Sequence, residues 1–159
     1  MKVRAVLVLA LVPVLATACG SSGKKAATPP PVKRLTQKQF VSQANAVCVA
    51  SDRRVYNLGS LSVDPTGWAK TVAAADVSLK AMEALSPPAA KQAGFNRLIA
   101  LGRQLREGVQ HVHDALVKKD YKAASKAQYA ATSVDTKIHN EAKKLGLTFC
   151  EQLLTNWPA

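Results

Sequence analysis

Four successive runs between Thr36 and Gly146 place their apolar residues three and four apart, and no segment alternates in the manner of a strand. Phe40, Ala44, Val47, Ser51, Val55 and Leu58 share one helical face, and Thr36-Gln37-Lys38-Gln39 ahead of them is a capping-box pattern. Gly59 is the predicted stop. Asp64-Pro65 then supplies an N-cap followed by proline at the first helical position, where its missing N–H costs nothing. Trp68, Val72, Ala75, Leu79 and Met82 form the second inner stripe, and Ser86-Pro87-Pro88 ends it. The third run predicts a helix over 88–119 with Phe95, Leu98, Leu101, Leu105, Val109, Val112 and Leu116 turned inward. Gly94, Gly102 and Gly108 mark it for a bend or a close helix crossing. Asp120 caps the fourth helix, whose face is Ala124, Ala127, Ala131, Val134, Ile138 and Leu145. Gly146 closes it in the left-handed conformation, after Lys143 and Lys144 at the negative end of the dipole. Four amphipathic helices with short turns predict an all-α, antiparallel up-down four-helix bundle over 36–159. The many inward alanines make its core thin.

The N-terminus reads as an address. Residues 1–18 have the charged start (Lys2, Arg4), the apolar run and the Ala16-Thr17-Ala18 site of a secretory signal peptide, and the run is too short and too broken by Pro13 for a membrane helix. Leu15-Ala16-Thr17-Ala18-Cys19-Gly20 resembles a bacterial lipobox, which makes Cys19 the expected site of lipid attachment and membrane lipid the expected partner through its acylation. Ordinary signal peptidase would cut the same bond and release a secreted protein. Of three cysteines, a lipidated Cys19 leaves Cys48 and Cys150 as an even pair in an oxidising compartment, whereas plain secretion leaves an odd thiol. Residues 19–35, rich in Ser, Gly and Pro, read as a flexible linker between anchor and bundle. The expected location is extracytoplasmic, on the outer face of the cell membrane.

Twenty-two Lys and Arg against ten Asp and Glu give a net charge of +12. Export removes nucleic acid as a partner and leaves anionic lipid headgroups and cell-wall polymers, or a basic surface that is merely solvated. Along an up-down path Lys33, Arg34, Lys38, Lys80, Lys91, Lys143 and Lys144 fall at the tether end, and Arg53, Arg54, Lys118, Lys119 and Lys122 at the far end.

Nothing in the chain spells out catalysis. His111 and His113, two apart on a helix, point away from each other, and His139 lies far along the neighbouring helix, so no three-ligand metal set and no cofactor is expected. No phosphate loop or nucleophile elbow is present, and the ten carboxylates read as scattered over helix surfaces beside Lys and Arg. His111 with Asp114 is the one local cluster, a surface pair. A monomeric, non-enzymatic protein is expected, either a tethered interaction module or a carrier holding a small apolar ligand between its helices. A buried, dry pocket of a few hundred Å3 lined by Leu, Phe and Trp would favour the carrier, and a solid core would exclude it.

Phe40-x3-Ala44-x3-Cys48, Leu85-Ser86-Pro87-Pro88, Asp120-Tyr121 and Gly146-Leu147-x2-Cys150 together resemble a loose group of small exported helical proteins of actinobacteria, many of them predicted lipoproteins. The resemblance runs from about Thr36 to Cys150. It implies a bundle closed by a Cys48 and Cys150 disulfide that ties down the C-terminal tail, and it carries over no catalytic residue. Cys48 then stands ~18 Å up the first helix, so residues 147–150 are expected to run back along the bundle as extended chain.

Overall fold

The computed structural model describes residues 33–58 and 63–151. Residues 1–18, read above as a signal peptide, Cys19, most of the segment read as a linker and Gly59 lie outside the described residues. Four helices make up nearly all of the described chain: α1 (Gln37–Tyr56), α2 (Pro65–Glu83), α3 (Gln92–Val117) and α4 (Tyr121–Leu145). Short 3-10 turns precede α3 (Ala89–Lys91) and follow α4 (Thr148–Glu151).

The start signals act as their chemistry dictates. Thr36 accepts from the Gln39 N–H while the Gln39 side chain accepts from the Thr36 N–H, closing the capping box. Asp64 and Asp120 cap α2 and α4 through the Thr66 and Ala123 N–H groups. At the end of α4, Gly146 at φ 80° lets its N–H reach the Lys143 carbonyl and the Leu147 N–H reach that of Ala142, a Schellman turn. The same device ends α3 without a glycine: Lys119 takes φ 57°, with the Asp120 N–H on the Ala115 carbonyl.

Each helix packs on its neighbour in sequence, and α3 against α4 is the most extensive pairing. Glycine is what brings those two together. A Cβ on Gly108 would stand 3.1 Å from that of Ala131, and one on Gly94 would stand 3.0 Å from Leu145. The glycines of α3 therefore serve a close crossing, and the helix runs unbroken through them. Two ion pairs staple α2 to α3: Arg106 donates to both carboxylate oxygens of Asp76, and two nitrogens of Arg103 donate to Glu83 Oε1.

The core has two parts. Phe40, Ala44 and Cys48 of α1 meet Phe95, Leu98 and Ile99 of α3, Ile138, Ala142 and Leu145 of α4, and Leu147 and Cys150 beyond it, with Phe40 and Phe95 edge to face at 5.5 Å. Trp68 and Val72 of α2 pack with Val109, Val112 and Leu116 of α3 and Ala124 of α4 in the second part, to which α1 contributes no buried residue. Placement and not length decides this, because α2, with 19 residues against the 20 of α1, reaches both parts.

The architecture is the expected four-helix bundle with a disulfide-tied tail. Cys48 and Cys150 are bonded, with Cα atoms 5.2 Å apart. Three details differ from the sequence reading. The tail returns as a 3-10 turn packed on α1 and not as extended chain, because the Schellman turn aims it directly into the seam beside α1. Residues 34–35, assigned to the linker, are docked: the Leu35 N–H donates to the Ser86 carbonyl at 2.8 Å and Arg34 donates to Pro87 and Gln92. Arg53 and Arg54 are not at the far end, since Arg54 reaches Ser78, in the C-terminal half of α2, at 3.5 Å. The register of α1 against α2 leaves them level with the C-terminal half of α2.

Candidate functional site

Between the two parts of the core lies a cavity of about 150 Å3, partly open to solvent, to which all four helices contribute. Its walls are Val47, Cys48 and Val55 of α1, Ala75, Leu79 and Met82 of α2, Leu98, Ile99 and Leu105 of α3, and Ile138 of α4, with Cys150 from the tail. Small residues at one level leave this room. Gly102 presents no side chain to Leu79, where a Cβ would stand at 3.2 Å, and Ala75, Ser51 and Ser78 are short. A second hollow of about 270 Å3 between Trp68, Leu116 and Ala124 is bordered by the exposed Val63 and Tyr121.

The polar groups of the cavity are few. Thr71 and Ser78 donate their hydroxyls to the Gly67 and Ala74 carbonyls of their own helix, at 3.0 and 2.8 Å. Asp52 is exposed at the rim, and Asp135 is buried, with 8% of its surface accessible. Asp135 Oδ2 lies 3.3 Å from His139 Nδ1, one turn along α4. Burial pushes the Asp135 carboxyl up to about 6, against the lowering field of His139. His139 Nε2 is itself buried without a hydrogen-bond partner.

Asp135 departs from the expectation that all carboxylates sit on surfaces. So does Glu141, 6% exposed, which accepts from Arg97 at 2.8 and 3.0 Å and from Lys144 at 3.3 Å. The Arg97 hydrogen bonds hold its carboxyl below the usual range. The cluster predicted around His111 is also rearranged: Asp114 meets His113 Nδ1 at 3.1 Å and Gln110 at 2.8 Å, while His111 is exposed. Among the described residues no three of His, Cys, Asp and Glu gather as a metal site would require, and no helix is long and apolar enough to cross a membrane.

Helical spacing alone could have flagged Asp135, because it stands one turn after Ala131 on the inward stripe of α4. Nothing in the spacing announced the cavity, which requires short side chains of α1, α2 and α3 to fall at one height. The fold and cavity define a disulfide-closed helical bundle with an interhelical cavity. No protein-family model, curated protein or solved structure matches this chain.

Proposed function

We propose that this chain is an exported, non-enzymatic binding protein, held to the outer face of the cell membrane through Cys19, whose interhelical cavity takes the apolar part of a small molecule. The observation that carries this reading is the cavity itself, walled by Leu, Ile, Val and Met from every helix. Native cores are packed with few voids above the size of a water molecule, so an apolar space of this volume is a place for a guest. The space is smaller than the few hundred Å3 expected of an enclosed carrier pocket, has no Phe or Trp in its walls and is partly open to solvent, so it matches one ring the size of benzene and not a whole larger ligand. Six ring carbons at ~0.8 kcal/mol each amount to ~5 kcal/mol, a dissociation constant of a few tenths of a millimolar. A larger ligand would seat one ring or a short chain here and extend through the rim.

Titration of the full-length protein with toluene, followed by methyl NMR at Leu79, Met82, Leu98 and Ile99, tests it. Saturable shifts confined to these residues, and lost in Ala75→Leu, are expected. Unchanged spectra would overturn the reading. The tether is tested separately: Cys19→Ala should move the protein from membrane to medium, since one or no acyl chain holds a protein only weakly. An unlipidated mature N-terminal Cys19 in the native host would instead mean plain secretion. Lys118, Lys119 and Lys122, exposed at the turn between α3 and α4, supply long-range attraction to anionic headgroups or wall polymers, screened over ~8 Å at physiological salt.

A further inference from the structure

The charges that line the cavity run against those of the chain. The protein carries 22 Lys and Arg and 10 Asp and Glu, yet the charged residues in the described lining are Asp52 and Asp135. Arg54 reaches Ser78 Oγ, a group of the cavity wall, at 3.5 Å and is not itself part of the described lining. The hydroxyls are also committed. Thr71 and Ser78 turn their protons toward their own helix carbonyls, and the Ser78 oxygen also accepts from Arg54. The charged groups of the described lining are therefore two carboxylates, with an apolar wall behind.

A buried carboxylate is costly unless it is paired, and among the described residues Asp135 is paired with His139, through one oxygen. Resting on the cavity reading above, we infer that the ligand joins an apolar ring or short chain to a protonated amine, whose N–H groups donate to Asp135 inside the cavity and to Asp52 at its rim. An ammonium ion offers three donors to a site that holds acceptors, and its charge completes the pairing that Asp135 lacks. A neutral guest gains only the apolar wall, and an anionic guest meets two carboxylates.

Selectivity should follow the ionisation of Asp135. The titratable group that acts on it is His139 on α4; Asp52 of α1 lines the same cavity at its rim, and the described lining of α2, α3 and the C-terminal turn is uncharged. Burial favours the neutral acid up to about pH 6, so ammonium binding strengthens as pH rises through that value.

Toluene, benzylamine and benzoate share one ring and differ in charge. Binding of each to the disulfide-bonded full-length protein at pH 5 and pH 7.5, by NMR titration, separates the possibilities. Benzylamine should bind at least tenfold more tightly than toluene at pH 7.5, in line with one hydrogen bond between charged groups, and the gap should narrow at pH 5. Benzoate should bind more weakly than either. Asp135→Asn should abolish the benzylamine advantage and leave toluene unchanged, and Asp52→Asn, at the exposed rim, should reduce it without risk to folding. Equal affinity for toluene and benzylamine at pH 7.5, or tighter binding of benzoate, would overturn the inference and leave the cavity reading standing. Failure of all three to bind would overturn both.

Discussion

Asp135 Oδ2 stands 3.3 Å from His139 Nδ1 on α4, and this contact is the one ion pair made by a carboxyl group that the bundle otherwise surrounds with apolar walls. A site that burial pushes up to about 6, from an ordinary 3.8, is paid for in stability. The folded state holds its proton more tightly than the unfolded chain does. Stability contributed at this position is therefore highest below about pH 4, declines as pH rises through 6, and stays low above it.

Asp135→Asn keeps the shape and removes the charge, so it should stabilise the protein by ~1–2 kcal/mol at pH 7.5, a discounted fraction of the ~1.4 kcal/mol per unit that such a displacement represents. At pH 4 wild type and variant should unfold together. Chemical denaturation at the two pH values measures the difference, and equal stabilities at pH 7.5 would show that His139 already meets the cost.

The bond between Cys48 and Cys150 closes 102 residues of chain and pins the C-terminal turn to α1. On loop-entropy grounds it contributes up to ~4.7 kcal/mol. Cys48→Ala with Cys150→Ala should cost ~2–5 kcal/mol in urea denaturation and should release the amides around Leu147 to fast hydrogen exchange. A loss below 1 kcal/mol would mean that the packing of Leu147 and Phe40 holds the seam without it.

Gly108 sets the distance between α3 and α4, because the Cβ and Cα of Ala131 lie 3.1 and 3.5 Å from where its own Cβ would be. Gly108→Val should destabilise by ~1–3 kcal/mol through overpacking, despite the better helix propensity of valine. A companion Ala131→Gly should restore part of the loss in a double-mutant cycle.

Lys119 holds φ 57° at the end of α3, the left-handed conformation that glycine adopts freely and that costs other residues about 1 kcal/mol. Lys119→Gly should raise stability by ~0.5–1 kcal/mol, and Lys119→Val should lower it by more, because a β-branched residue fits that conformation poorly. Thermal unfolding reads both, and the contrast between them separates backbone strain from loss of the charge.

Much of the fold is written in local pattern. The capping box at Thr36, the Asp64-Pro65 start, the cap at Asp120 and the left-handed Gly146 each act within one turn of chain, so the residues involved are enough to specify them. The inward stripes follow for the same reason, since a period of 3.6 fixes which side chains share a face. What local pattern cannot carry is height along the bundle. That α1 contributes no buried residue to the second part of the core, that Gly102, Ala75 and Ser51 meet at one level to leave a cavity, and that Asp135 lines it together with Asp52 of another helix are all consequences of how four cylinders are staggered. Stagger is set by the sum of weak packing contacts between residues tens of positions apart, with Gly108 against Ala131 and Cys48 against Cys150 as its pins, and only the folded chain brings those residues together.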